Sequence, residues 1–146
     1  MSRAPSPVVA TACEMQSDIG AGFSVAFTPD ECQVAQMRKI TATHLRRWRV
    51  PEATVDSVVV AVSELVTNGI QHGHGAIALK ALCSDGVLRV EVTDGNPSPA
   101  QLTTAGDDDL SGRGLFLVAV LAHDWGVSDG GRTTWCEFRL SSGRTW

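Results

Sequence analysis

Phe23, Val25 and Phe27 alternate with the small residues Ser24 and Ala26, the period of a short strand, and the pattern stops at Pro29. Thr28-Pro29-Asp30-Glu31 has the form of a capping box with proline at the first helical position, which predicts a helix starting there. Val34, Met37, Thr41, Leu45 and Trp48 then recur at steps of three and four, carrying that helix to about Arg49 with Arg38, Lys39, Arg46 and Arg47 on its solvated sides. Pro51 opens a second helix whose apolar face is Val55, Val58, Val62, Leu65, Val66 and Ile70, ended by Gly73 and Gly75. Ile77 to Cys83 and Val87 to Thr93 read as a hairpin around Ser84-Asp85-Gly86. Leu115 to Ala122 is a short apolar helix, Trp125 to Ser128 a strand, Asp129-Gly130-Gly131 a turn, and Thr133 to Leu140 a closing strand in which Cys136, Phe138 and Leu140 alternate inward. Strands arriving mostly as hairpins, with three helices between them, predict an α/β (α+β) fold: a mostly antiparallel sheet covered on one face by helices.

Two stretches stand outside this periodicity. Residues 1–21 mix Pro, Ser, Ala, Thr and Gly, so they are expected to form a flexible N-terminal arm ahead of one domain over 22–146. Gly95 to Ser111 holds Pro97, Pro99, Gly106 and the run Asp107 to Asp109; a loop this long within a domain is often a functional lid.

At 146 residues, 43% hydrophobic and 19% charged, the chain has the composition of a globular domain with a real core. Its net charge of -4 gives no basic field, so no direct nucleic-acid partner is expected. Cys13, Cys32, Cys83 and Cys136 are far apart, without a zinc-ligand spacing, and read as reduced thiols. The N-terminal apolar run Val8 to Cys13 is too short for a signal peptide and no stretch approaches the roughly 20 apolar residues of a bilayer span, so a cytoplasmic protein with no membrane partner is expected.

Three clusters could carry chemistry. In the second helix Glu64 and Asn68 are four apart and share a face, with His72 one turn further. Glu64 can accept a proton, and the amide oxygen of Asn68 is a hard ligand suited to a nucleotide's Mg²⁺. Asp94 ends a strand before Gly95: a carboxylate there can accept from an exocyclic amine such as N6 of adenine, and glycine lets a flat ring approach the backbone. Gly112-Arg113-Gly114 stands at the start of a helix, where free N–H groups, a partial positive charge and a planar cation suit a polyphosphate. Each also has a plain structural explanation: a polar helix face, an Asp-Gly turn, a loop-to-helix junction. His72 and His74 make a weak metal pair, and Asp107 to Asp109 are explained by a solvated acidic loop.

The order of these clusters carries more than any one of them. An E-x-x-x-N helix, a strand ending in Asp-Gly, a lid-like loop, Gly-Arg-Gly opening a helix, and a threonine near the last strand resemble the ATP-binding domain of the GHKL superfamily of gyrase, heat-shock chaperones, histidine kinases and mismatch-repair ATPases. Within it, the chain is similar to the small anti-sigma factor serine kinases and stand-alone regulatory ATPases of actinobacteria. Ala61 to His72 is similar to the N box, Val92-Thr93-Asp94 to the G1 box, Gly112 to Leu115 to the G2 box, and Gly131 to Trp135 to the Gly-Gly-basic-Thr segment. The resemblance covers about residues 23 to 140. It departs from the larger superfamily at Asp94-Gly95-Asn96-Pro97, which lacks the full D-x-G-x-G, and at Gly69 and Gly73, where better helix formers are usual.

The resemblance implies a Bergerat-type two-layer sandwich binding ATP with Mg²⁺. It makes Asp94 the reader of the adenine amine with Thr133 in support and Gly95 beside it. Gly112, Arg113, Gly114 and Leu115 would cradle the phosphates, Asn68 would hold Mg²⁺, and Glu64 would be the general base for a protein serine hydroxyl. The implied activity is serine/threonine kinase action on an anti-anti-sigma factor, with a sigma factor as alternative partner, transcription control by partner switching, and homodimerisation. The rivals are a nucleotide-dependent binding module that transfers no phosphate and the catalytic domain of a histidine kinase, the latter disfavoured because no helical segment with a phospho-acceptor histidine is read here.

Overall fold

Among the described residues, six strands pair into one antiparallel sheet: β1 (Cys13–Ser17), β2 (Gly20–Phe27), β3 (Ile77–Ser84), β4 (Val87–Thr93), β5 (Asp124–Ser128) and β6 (Thr133–Arg139), in the order β1-β2-β3-β4-β6-β5. Helices α1 (Cys32–Arg47), α2 (Glu52–His72) and α3 (Leu110–Leu121) cover one face, so the predicted architecture stands. The computed structural model describes residues 13–17, 20–72, 75–94 and 110–140; residues 13–17 and 110–114 are described by their backbone.

Strand alternation decides what faces the helices. Phe23, Val25, Phe27, Ile77, Leu79, Ala81, Leu88, Val90, Val92, Cys136 and Phe138 point inward and are buried. Against them lies α2, whose face of Val55, Val58, Ala61, Val62, Leu65, Val66 and Gly69 is buried at helical spacing. By length and composition α2 could cross a bilayer, contrary to the expectation that no such stretch exists, but here its apolar face is the floor of the core. The hairpin between β3 and β4 closes with Asp85 at φ 52° and Gly86 at φ 76°, both left-handed, which matches the twist of a two-residue loop and explains the Asp-Gly sequence.

Three expectations are corrected. Cys13–Ser17 pairs with Gly20–Ser24 as an edge strand, so the sheet reaches into the segment read as an arm; backbone pairing needs no apolar period. The cap of α1 is different: the helix begins at Cys32, its N-cap Glu31 makes no side-chain cap bond, and Asp30 Oδ1 accepts from Cys32 N at 3.1 Å. That bond to a backbone N–H holds the Asp30 carboxyl below its ordinary pKa. Finally, α3 starts at Leu110, so Gly112-Arg113-Gly114 lies within its first turns. Two glycines hid that turn from a propensity reading, and packing against α2 overrides the preference.

Candidate functional site

Helical geometry places the polar residues of α2. Its sheet-facing stripe leaves two flanks. Ser63 is on the α1 flank, because Arg38 Nη1 of α1 donates to Ser63 Oγ at 3.2 Å. On the other flank Ser57, Ala61, Glu64 and Asn68 follow one another at steps of four, three and four. That flank faces α3: a cavity of about 370 Å³ is lined by Ala53, Thr54 and Ser57 of α2, by Leu121, Ala122 and His123 at the end of α3, and by Phe138 and Arg139. The start of α2 therefore meets the end of α3 and the two helices run antiparallel. It follows that Glu64 and Asn68, towards the end of α2, stand on the flank that faces the start of α3, where Gly112 and Arg113 lie. Both are half-buried, and among the described residues neither has a hydrogen-bond partner.

Asp94 follows β4 and closes the far side. Its backbone N–H donates to the carbonyl of Arg132 at 2.9 Å, extending the β4–β6 ladder by one residue. A Cβ placed on Gly69 would come within 3.8 Å of Asp94 Oδ2 and 3.6 Å of Val92 Cγ1, so the carboxylate and the inward valine share the α2 side of the sheet. Asn68, its neighbour Gly69 and Asp94 are thus brought to one end of the helix–sheet seam.

The same register corrects Thr133. Thr93 and Thr133 stand directly opposite each other, and their Oγ1 atoms are hydrogen bonded at 2.8 Å. Val92 points to the helices, so Thr93 and with it Thr133 point to the other face, away from Asp94. The inward threonine of β6 is Thr134, opposite Val92 and diagonal to Asp94. The Thr-Thr pair in the sequence left a one-residue ambiguity that only pairing resolves.

Leu115 is corrected as well. With α3 beginning at Leu110, the described residues whose N–H groups are free of the i→i−4 ladder are 110–112, Gly112 among them. The N–H groups of Arg113, Gly114 and Leu115 fall inside the ladder, and the Leu115 side chain is a 2% exposed part of the core, an anchor of the helix and not a phosphate contact. Gly95, the acidic run Asp107 to Asp109 and His74 lie outside the described residues. Among the described residues no three His, Cys, Asp or Glu side chains form a metal-holding cluster, so a cation here would need ligands from a phosphate chain beside Asn68.

A strand-end carboxylate, a helix start and an amide are gathered at one end of the seam between sheet and helices, and the whole is an α/β sandwich of the GHKL type. The sequence profile of the histidine kinase-like ATPase domain matches residues 27–138, from the end of β2 into β6, and the chain belongs to that family. No individual curated protein matches the chain significantly.

Proposed function

We propose that the chain is a cytoplasmic serine/threonine protein kinase and anti-sigma factor that phosphorylates an anti-anti-sigma factor and controls transcription by exchanging that partner for a sigma factor. The observation that carries this reading is the pair Glu64 and Asn68: two half-buried polar side chains one turn apart, without partners among the described residues, on the α2 flank facing α3. A carboxylate with no hydrogen-bond donor of its own is available as a base, and an amide oxygen is available as a ligand.

Bound ATP-Mg²⁺ supplies the γ-phosphoryl group and the charge neutralisation that its transfer needs. Asn68 would hold the metal against the phosphates, the N–H of Gly112 and the guanidinium of Arg113 would donate to phosphate oxygens at the start of α3, and Asp94 would accept from the exocyclic amine of the base. Glu64 would take the proton of a partner's serine hydroxyl as that oxygen bonds the γ phosphorus and the bridge to ADP breaks. Positioning and charge account for most of such a reaction, so few groups are sufficient. Partner exchange follows if one docking surface serves both partners, and a homodimer is part of the same proposal.

The test is incubation of the protein with labelled ATP and an anti-anti-sigma protein. Phosphoserine that is formed by the natural chain and disappears with Glu64→Ala, nucleotide binding being retained, is the expected outcome. Nucleotide-sensitive partner binding with no transferred label would instead establish a binding module.

A further inference from the structure

The cavity of about 370 Å³ lies at the far end of α2 from the candidate site: Ser57 and Asn68 are about 16 Å apart along the axis at the helical rise. One of its edges is a break in the sheet. Asp94 N donates to the carbonyl of Arg132 at 2.9 Å and Leu140 N to that of Gly86 at 2.8 Å, so the even-numbered residues of β6 bond to β4. The odd-numbered residues turn their N–H and C=O to the β5 side, where the carbonyl of Glu137 accepts from His123 N at 2.7 Å. Pairing with β5 stops at Asp124 opposite Glu137, and there the chain joins the end of α3. The N–H and C=O of Arg139 therefore face the cavity with no strand opposite them among the described residues. Thr54, Ser57 and His123 also line it, and their side chains have no hydrogen bond among those residues. Leu121 and Phe138 supply apolar surface.

Among the described residues neither a carboxylate nor a guanidinium is aimed into the cavity. Glu52 is paired with Arg46, on which the charge of Asp56 also acts, Asp124 Oδ1 accepts from Trp125 N, and Glu137 is paired with Arg89. Phe138 faces the helices, so the Arg139 side chain leaves from the opposite face of the sheet. We propose that this cavity is a second binding site, taking a small uncharged ring that carries an amide. In a cyclic amide the N–H and C=O lie side by side, the complement of the C=O and N–H that one extended residue presents. The amide N–H would donate to the Arg139 carbonyl and its oxygen would accept from the Arg139 N–H. The ring would rest on Phe138 and Leu121, and the hydroxyls of Thr54 and Ser57 would meet further heteroatoms. A few polar groups orienting an apolar body is the usual design of a small-molecule pocket, and this volume lies at the lower end of their range. The site does not depend on the nucleotide reading.

Isothermal titration of the whole chain with 2-quinolone, a bicyclic cyclic amide, and with N-methyl-2-quinolone, which lacks the donor, tests the site. The natural protein should bind 2-quinolone about tenfold or more tightly than the N-methyl compound, because the latter leaves the Arg139 carbonyl unpaired. Arg139→Pro removes the N–H at a sheet edge, where proline is tolerated, and should cost about tenfold in 2-quinolone affinity. Arg139→Ala keeps the backbone and should bind within about threefold of the natural chain. Ala53→Trp fills the cavity from an exposed position and should lose both compounds, which keeps the test decisive if Arg139→Pro fails to fold. Saturating ATP with Mg²⁺ should leave 2-quinolone binding in place. Failure to bind 2-quinolone, equal affinity for the two quinolones, or a loss in Arg139→Ala as large as in Arg139→Pro overturns the site. Displacement by ATP also overturns it, by placing the probe at the nucleotide end of α2.

Discussion

Residues one position apart divide sharply between roles here, because helix and strand geometry sends neighbours in different directions. Arg38 engages Ser63, while Glu64 turns to the flank facing α3; Thr133 engages Thr93, while Thr134 turns to the helices. Asp94→Ala is expected to weaken ATP and ADP alike by about ten- to hundredfold, the worth of a hydrogen bond to a charged group, when both are titrated calorimetrically. A loss confined to ATP would place the base elsewhere. Asn68→Ala should abolish the Mg²⁺-dependent part of ATP affinity and leave the far-ultraviolet circular dichroism unchanged; equal affinity with and without the substitution would remove its metal role. For the threonines the expectation is opposite in kind. Thr133→Val should cost about 1 kcal/mol of stability through the lost bond to Thr93 and leave nucleotide affinity alone. Thr134→Val should lower affinity, and a reversed result would restore Thr133 to the site.

The helix ends show where local rules hold and where packing displaces them. At the end of α1, Val50 N donates to the carbonyl of Leu45 and Arg49 N to that of Arg46, both at 3.0 Å, the paired bonds of a Schellman turn. The residue in the left-handed position is Arg49, at φ 64°, where glycine is the unstrained choice. Arg49→Gly should therefore raise stability by about 0.5–1 kcal/mol, the relieved strain outweighing the added freedom of the unfolded chain, and Arg49→Val should lower it, both read from urea midpoints. Just beyond, Arg46 Nε meets Glu52 Oε2 at 2.8 Å and links the two helices. The arginine's hydrogen bond holds the Glu52 carboxyl below its ordinary pKa, so this contribution is present at neutral pH and fades as acid protonates the carboxylate. Both side chains are largely exposed, which makes the bridge a weak contributor. The periodicity of α1 and α2 was legible because their buried stripes are long; the start of α3 was not, because Gly112 and Gly114 obey packing before propensity.

At the scale of the molecule, Cys136 reports on the integrity of the sandwich. It is fully buried between sheet and helices, and burial pushes its thiol up to about 12. A thiol whose pKa is raised by folding contributes stability that is present at neutral pH and lost as pH rises from about 9 to about 12, so the melting temperature should fall across that window. Alkylation at neutral pH should find Cys32 at the surface and leave Cys136 untouched until the core opens. ATP should slow Cys136 labelling in proportion to its occupancy, because ligand bound to the folded state alone holds the sandwich closed. Rapid labelling of Cys136 in the native protein would show that the sheet and helices part locally.

Among the described residues, the sequence by itself determined the helices α1, α2 and α3, every strand but β1, the antiparallel class, and the candidates Glu64, Asn68 and Asp94, since each depends on spacing within a single element or at its end. Only the tertiary structure decided matters that depend on two elements meeting. Pairing between β4 and β6 moved the inward role from Thr133 to Thr134, because a strand's side chains change face at every residue and register is a property of the pair. Packing of α3 on α2 brought the Gly112-Arg113 turn towards Asn68 and drew Leu115 into the core. The closeness of Gly69 to Asp94, separated by twenty-four intervening residues along the chain, arises because α2 and β4 lie against each other; no local pattern of hydrophobic and polar residues encodes that distance.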